Sequence, residues 1–339
     1  QGLERRRGVE FEAHGVQLRS GCDAEIIPHL YARHGPAFVE RLRGMFAVAV
    51  VDTRDHRLVL ARDRLGKKPL YVARREGRIE FASEPKALLA ASPSAVEPDP
   101  AGLVRFLCFG YVPGPGSAFR GLERVQPGER WVVDRSGVRV ERYWSLPEPA
   151  PRARVELRTL VDQFDHLLAQ ATTERLASDV PLGVLLSGGI DSGLVLAKAA
   201  KAARRPLEAF TIAFADKAHD ERALAARTAK HLGVRLHVLE AQPIPPESLL
   251  DIARTWDEPF GDASAYPTAL VAKLARAQVT VALSGDGGDE AFAGYRRHRA
   301  LALARRIDRF VPRALRSLLA RAVGESANGV GGRSGFGAF

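Results

Sequence analysis

The sequence has little cysteine and no long apolar run. Its 339 residues contain only two cysteines, Cys22 and Cys108, which excludes a framework of disulfides. A reduced, cytoplasmic protein is the simplest interpretation, with both cysteines as small core or surface residues. No stretch approaches the roughly 20 consecutive apolar residues of a membrane-spanning helix. The polar, basic residues 1–8 are followed by no apolar stretch, so we expect neither a membrane span nor a signal peptide.

The charge balance is basic, with 50 lysines and arginines against 40 acidic residues and a formal net charge of +10. A basic chain is one signature of nucleic-acid binding. Here, however, the arginines are scattered along the chain instead of clustered, which is typical of a compositional bias. We therefore expect no nucleic-acid partner, although a basic surface still attracts small anionic ligands.

The length predicts two domains, since a domain typically holds about 100–200 residues. The first, over residues 1–150, has the short runs and turns of an antiparallel α+β domain. The proline-rich stretch 93–155 is interpreted as the tail of this domain plus a linker. The predicted elements of the first domain are a helix at 23–34 and strands at 44–52, 57–61, 70–73 and 78–82.

The second domain, over residues 156–325, has an α/β pattern. Its run at 183–186 is wholly apolar, as in a strand covered on both faces of a parallel sheet, whereas the run at 234–239 alternates. We therefore expect a doubly wound parallel sheet with the 183–186 strand central and the 234–239 strand at one side. The glycine-rich residues 326–339 are expected to be disordered. Two further strands are expected at 210–214 and 279–283. Helices are expected at 156–176, from Asp191 onward, and after a cap at Asp220 and Glu221.

A serine- and glycine-rich turn follows the 183–186 strand and opens a helix. It reads Ser187-Gly188-Gly189-Ile190-Asp191-Ser192. The glycines let the backbone approach an anion without a Cβ in the way, the helix N-terminus presents free N–H groups, and the two serines add hydroxyl donors. Because an aspartate beside bare phosphate is unfavourable, Asp191 indicates a bridging Mg²⁺. The alternative interpretation is a glycine turn with a capping aspartate and no ligand.

Two common nucleotide motifs are missing from this turn. It has no Walker lysine after the glycines, and it has no Gly-x-Gly-x-x-Gly, which argues against a dinucleotide fold. The order Ser-Gly-Gly-x-Asp-Ser instead resembles the pyrophosphate-binding loop of enzymes that split ATP between its α and β phosphates.

A second glycine turn, residues 284–290, follows the 279–283 strand. Ligands of open α/β sheets lie outside the carboxyl ends of the strands, at the switch point. If the two strands are neighbours, both turns face one cleft, and Asp289 shares a metal with Asp191. The alternative is that the acids of this turn only cap a surface helix. A separate acidic turn at 257–262 is expected to bind substrate, to position a basic group, or to be a solvated loop.

Seven further stretches carry a resemblance to a known family: Arg43 to Ala47, Ala61 to Tyr71, Phe81 to Leu88, Tyr143-Trp144, Ser178 to Gly183, Asp257 to Pro259 and Gly294-Tyr295. Together with the two glycine turns they resemble asparagine synthetase of the glutamine-hydrolysing type. The resemblance implies a partial Ntn-type glutaminase αββα sandwich followed by an ATP-pyrophosphatase (adenine nucleotide alpha-hydrolase-like) domain. It implies amidation of aspartate through an aspartyl-adenylate, with ATP, aspartate and glutamine or ammonia as substrates and ATP and Mg²⁺ as cofactors. A homodimer is compatible with the sequence.

The resemblance also implies roles for single residues. Leu186 and Ile212 lie where the family contacts adenine, and Ser284 and Gly285 lie where its backbone contacts the nucleotide. Asp286 stands at the position of an acid that is associated with forming the aspartyl-adenylate. Asp23 matches the acid that holds the amino group of glutamine.

The sequence departs from the family at its start. The family's glutamine nucleophile is an N-terminal cysteine with its own α-amine as base, whereas residue 1 here is Gln. We therefore expect that this chain, with its first domain truncated at the N-terminus and its second at the C-terminus, does not hydrolyse glutamine.

Several alternatives stay open. A related enzyme amidates another carboxylate or closes a ring, as β-lactam synthetases do, because acceptor specificity depends on a few pocket contacts. An ATP-binding module with a degenerate glutaminase half would catalyse no reaction. RNA modification is disfavoured by the glutaminase-like first half. The basic amphipathic segment 299–323 either lies on a membrane or packs on the second domain, and we expect packing.

Overall fold

The computed structural model describes residues 19–310, with gaps at residues 21, 76, 93–96, 149–154, 217–219 and 243–244. The predicted tail at 326–339 and the second half of the 299–323 segment lie outside the described residues. Both cysteines are free and exposed, which agrees with the surface role expected for them. None of the described helices combines the length and apolar composition that crossing a bilayer requires.

The N-terminal part contains all four strands and the helix that the sequence predicts there. Its elements are 3₁₀ helices at Asp23–Glu25 and Gly35–Arg41, helices α1 (Ile26–His34), α2 (Pro85–Ala91) and α3 (Pro100–Phe109), and strands β1 (Ala47–Asp52), β2 (Arg57–Arg62), β3 (Tyr71–Arg75), β4 (Arg78–Ala82), β5 (Leu122–Arg124), β6 (Glu129–Asp134) and β7 (Gly137–Arg142).

These strands form two antiparallel sheets, in the orders β1-β2-β6-β7 and β4-β3-β5. Side chains of a strand alternate between its two faces. Val59 of β2 therefore packs in the core beneath α1, while its neighbour Leu60 packs with Val72 between the two sheets. On β3, Tyr71 packs outward against Leu88 of α2. The layers run helix, sheet, sheet, helix, which confirms the expected αββα sandwich.

The stretch 93–155 holds more structure than the tail and linker that the sequence predicts, because it contributes α3 and strands β5 to β7. The start of α3 carries an overlooked capping signal. The Asp99 carboxylate accepts the N–H groups of Ala101 and Gly102, at 3.2 and 3.0 Å, and Pro100 occupies the first helical position, where it is well tolerated. Prolines in this stretch therefore lie at the ends of helices and strands, whereas the sequence analysis interpreted them as signs of a linker.

The C-terminal part alternates strands and helices. Its elements are helices α4 (Leu157–Arg175), α5 (Ile190–Ala202), α6 (Arg222–His231), α7 (Pro246–Trp256), α8 (Ala265–Arg276), α9 (Gly288–Phe292) and α10 (Arg296–Phe310), and strands β8 (Leu182–Leu185), β9 (Glu208–Ala213), β10 (Arg235–Glu240) and β11 (Val281–Leu283).

The four strands form one parallel sheet in the order β10-β9-β8-β11. Strand β8 is central and β10 lies at an edge, as predicted. Val184 packs on one face with Leu196 of α5 and Ala225 of α6. Phe210 packs on the other face with Ala275 of α8. The sheet is thus covered on both sides, which confirms the doubly wound arrangement.

A buried acid joins the two parts of the chain. The Glu258 side chain is 6% exposed and accepts hydrogen bonds from the Tyr71 hydroxyl at 2.8 Å, from the Ala118 N–H at 2.7 Å and from the Arg124 guanidinium. Of the three interpretations of the acidic turn, positioning a basic group holds for this residue, and a solvated loop does not. Its neighbour Asp257 accepts the N–H of Lys86 at 3.1 Å.

Burial also changes the acid–base behaviour of this contact. Burial, aided by the adjacent Glu258 carboxylate and opposed by Arg124, raises the pKa of Tyr71 to about 12. Tyr71 therefore remains a neutral donor to Glu258 well above neutral pH.

Candidate functional site

The candidate site lies at the carboxyl ends of β8 and β11. Along the chain β8 is followed by β9 and then β10 on one side, whereas β11 pairs with β8 on the other side. The direction of winding therefore reverses between β8 and β11, which is where open parallel sheets bind ligands. The register that pairs Leu283 with Val184 places the two predicted glycine turns side by side.

The two predicted adenine contacts lie at the central strands of the sheet, Leu186 just after β8 and Ile212 on β9. The Leu186 side chain is 2% exposed and belongs to the core cluster of Val184 and Leu196. Its N–H donates to the Phe210 carbonyl at 2.8 Å. Leu186 as a whole is thus buried, and its contact with adenine stays a prediction. Ile212, on the neighbouring β9, is half-buried.

The two serines of the first turn bind mainly to the turn itself. The Ser187 N–H donates to Ser192 Oγ at 3.1 Å, and the two hydroxyl oxygens are 2.8 Å apart. Ser187 Oγ also accepts the N–H of Gly189 at 3.1 Å. Ser192 is buried, so the structure gives it a role in shaping the turn, where the sequence predicted a donor to phosphate. Ser187 is exposed and remains accessible to a ligand.

Helix α5 begins at Ile190 with an open N-terminus. Gly189 stands at the cap position, and in the described part of the chain no side chain caps this end. The first N–H groups of a helix have no partner within the helix, and they carry about half a positive charge in total. Asp191 lies in this first turn and is half-buried. The arrangement suits an anion with a bound cation.

The second turn closes directly on the first. A Cβ at Gly285 would lie 2.6 Å from the backbone nitrogen of Ser192, and a Cβ at Gly288 would overlap the carboxylate of Asp191. Only glycine allows both approaches. The predicted convergence of the two turns is therefore what the backbone shows, and it depends on the two glycines.

The acids of the second turn differ in their surroundings. Asp286 is exposed, and its carboxylate accepts the Ser284 hydroxyl at 2.9 Å. Asp289 is half-buried, with Oδ1 against Gly294. Glu290 accepts the Tyr295 hydroxyl at 2.6 Å. That bond lowers the pKa of Glu290 and raises the pKa of Tyr295 to about 12.

A magnesium ion fits this donor set only together with a ligand. Among the residues that the structure describes, no three histidine, cysteine or acidic side chains are grouped as a metal cage. Mg²⁺ is usually held by one or two carboxylates plus the phosphates of a substrate. Asp191 and Asp289, on the two touching turns, are donors of that kind.

One residue makes a contact that the sequence did not reveal. Glu221 stands at the predicted cap position of α6, but its side chain accepts the Gly188 N–H through Oε2 at 2.9 Å and no N–H of the helix. The other predicted cap, Asp220, accepts the Arg222 N–H at 3.2 Å. A contact between residues 33 positions apart leaves no periodic signal in the sequence. Asp23 lies outside this site, in the first 3₁₀ helix, where it is exposed and 3.9 Å from Cys22 Sγ.

Comparison with known proteins gives the family. Residues 163–333 match the family model described as asparagine synthase, and residues 6–144 match the one described as a glutamine amidotransferase domain. The chain is 31% identical to asparagine synthetase [glutamine-hydrolyzing] 1 of Bacillus subtilis, over 96% of this chain and 51% of the relative. It is 32% identical to asparagine synthetase [glutamine-hydrolyzing] 3 of Arabidopsis thaliana, over 82% and 45%, and 33% identical to amidase chyE of Penicillium rubens, over 85% and 45%.

The chain spans about half the length of these curated relatives. The matched asparagine synthase region covers half of the chain and contains both glycine turns. The chain belongs to the asparagine synthetase family.

Proposed function

We propose that this chain binds ATP and activates the side-chain carboxylate of aspartate for amidation. The observation that carries the proposal is the contact between the two glycine turns, in which Gly285 lies on Ser192 and Gly288 on Asp191 beside the open N-terminus of α5. The family supports the same reaction, since two of the three relatives above are named as glutamine-hydrolysing asparagine synthetases.

Different groups of the chain bind the phosphates, the adenine and the metal ion of MgATP. The free N–H groups at the start of α5 hold the β and γ phosphates, because helix N-termini bind anions. We assign Leu186 and Ile212 to the adenine side, and the backbone of Ser284 and Gly285 to contacts with the nucleotide. Mg²⁺ bound by Asp191 and Asp289 would offset the charge that develops on the leaving pyrophosphate.

The reaction then follows in two displacements. The aspartate carboxylate attacks the α phosphorus, and the bond to the β phosphate breaks, which gives an aspartyl-adenylate and pyrophosphate. Ammonia attacks the activated carbonyl carbon, loses a proton, and displaces AMP to give asparagine. Positioning carries most of the catalysis, since neither displacement requires a covalent nucleophile from the protein. Asp286, exposed at the mouth of the site, is the proposed acid beside the forming adenylate.

The αββα part, taken as residues 1–150, is the proposed source of ammonia in the whole protein, and residues 156–325 are the proposed synthetase domain. Asp23 is the proposed contact to the amino group of glutamine. Because the proposed chemistry of the second domain uses free ammonia, the synthetase half can be tested without glutamine.

The test is pyrophosphate release from MgATP with ammonium and a panel of amino acids. We expect release that depends on aspartate, with asparagine formed in equal amount. The D191N variant keeps the size of the side chain and removes its charge, so it controls for contaminating enzymes and should lose the release. Release with a different acid would replace aspartate as the acceptor. Absence of both release and nucleotide binding would contradict the proposal.

A further inference from the structure

The first turn is already engaged by a carboxylate of the protein. Glu221 Oε2 lies 2.9 Å from the nitrogen of Gly188, the first glycine of the turn. The backbone at the start of α6 is pressed against the same glycine, because a Cβ at Gly188 would lie 2.9 Å from the Cβ atoms of Glu221 and Leu224. Glu221 itself is exposed, so water could solvate its carboxylate and burial does not force it into this contact.

A carboxylate at this position imitates a phosphate oxygen. Both are anionic acceptors, and hydrogen bonds from a backbone N–H to an anion are stronger than those between neutral groups. The Gly188 N–H belongs to the same turn as the open helix end, so Glu221 uses a donor that an anionic ligand would otherwise share. Its negative charge also adds to that of Asp191, on the other side of the turn.

We propose that Glu221 is a built-in competitor for the phosphates of the nucleotide. This inference rests on the proposed function. In the free protein the Glu221 carboxylate occupies the Gly188 N–H, and ATP or pyrophosphate binds only as that carboxylate moves away. The competition weakens nucleotide binding, and the returning carboxylate aids the release of pyrophosphate after the adenylate forms.

The test compares affinities for ATP and for inorganic pyrophosphate, each with Mg²⁺, by calorimetry. E221A removes both the charge and the acceptor, and we expect binding that is about five- to tenfold tighter, the net value of one hydrogen bond at an exposed site. E221Q keeps an acceptor of the same size and loses the charge, so we expect a smaller tightening of about two- to fivefold.

A matched variant controls for net charge. Glu240 ends β10, its side chain is 75% exposed, and it bonds Arg222 at 3.3 Å and not the turn. E240Q removes one negative charge near the same edge of the sheet, and we expect affinities within about twofold of the wild type, because an exposed pair contributes little.

A second readout reports on the contact itself. In an amide NMR spectrum of the nucleotide-free protein, the Gly188 signal should move in E221A, and in the wild type it should move when pyrophosphate is added. If the wild type binds nucleotide and E221A binds equally or more weakly, Glu221 is a structural support of the turn and the competition is wrong. If neither the wild type nor E221A binds ATP or pyrophosphate, the proposed function itself fails, and the inference fails with it.

Discussion

At the scale of single residues, the site depends on two glycines, whose lack of a side chain lets the turns touch. Gly285 and Gly288 are the points at which one turn touches the other, and each approach is closer than any Cβ allows. Neither glycine has a positive φ, so glycine is required here for the space that it leaves. The carboxylates and N–H groups around these glycines are brought together only because the backbones meet.

We predict that G288A weakens ATP binding at least about fivefold, because the new methyl group overlaps the Asp191 carboxylate and overpacking of this kind costs about 1–3 kcal/mol. Calorimetric titration with MgATP measures the change. G193A is the matched control in the adjoining helix. Its added Cβ meets nothing closer than Thr228 Cγ2 at 3.8 Å, so we expect unchanged ATP affinity and a gain of about 0.5–1 kcal/mol in unfolding free energy. Equal ATP affinities for G288A and the wild type would show that the contact is dispensable.

Some residue roles follow from the sequence and others do not. The order of small residues, Ser-Gly-Gly-x-Asp-Ser, predicts an open helix N-terminus, because local backbone chemistry fixes it. The burial of Ser192 and the use of Glu221 depend on what packs around the turn. Neither is encoded in the spacing of the motif, and a pattern alone assigned both residues other roles.

At the scale of elements, the distinction between wholly apolar and alternating runs carried most of the prediction. In β2 and β3 the hydrophobic side chains point to both faces, which is the signature of a sheet buried on both sides. In the parallel sheet, the wholly apolar run of β8 marks a central strand, and the alternating run of β10 marks an edge. These periodic signals are strong because each is repeated along the element.

The elements that escaped prediction are short or are bounded by prolines. Strand β5 has three residues, too few for any period to show. Helix α3 begins with Asp99 and Pro100, a start signal that was hidden among prolines resembling a linker. Local capping chemistry was therefore the information that would have found this helix.

The cap of α3 gives a prediction. Because the Asp99 carboxylate accepts two backbone N–H groups and pairs with Arg105 at 3.1 Å, D99A should lower the free energy of unfolding by about 1–2 kcal/mol. Urea unfolding followed by circular dichroism measures the loss. D162A, on the exposed face of α4, is the control and should change stability by less than about 0.5 kcal/mol. A D99A variant as stable as D162A would show that the cap does not contribute to the free energy of unfolding.

At the scale of the whole molecule, the two parts meet through contacts that no sequence pattern predicts. The Tyr71 hydroxyl and its acceptor Glu258 are 187 positions apart. Removal of a partner from a buried carboxylate is costly because the charge is left without compensation. The contact thus ties β3 and β5 of the sandwich to the segment that leads through α8 and β11 into the second glycine turn.

This contact makes stability sensitive to alkaline pH. A tyrosine ordinarily has a pKa of 10.0, and burial raises the pKa of Tyr71 to about 12. Between these values the unfolded chain has released the proton and the folded chain keeps it. The contribution of Tyr71 to the free energy of unfolding is therefore fully present below pH 10. It is lost as the pH rises towards 12, by up to about 1.4 kcal/mol per pH unit.

We predict that Y71F flattens this part of the pH profile. The variant has no proton to release, so its unfolding free energy should fall less between pH 10 and 11.5 than that of the wild type, although at pH 8 it should be lower by about 1 kcal/mol for the lost bond to Glu258. Urea unfolding at a series of pH values separates the two effects, since one is an offset and the other a slope. Y111F, at an exposed ring, should follow the wild-type slope. If the unfolding free energy of Y71F fell with pH as steeply as that of the wild type, ionisation of Tyr71 would not be the cause of the alkaline loss of stability.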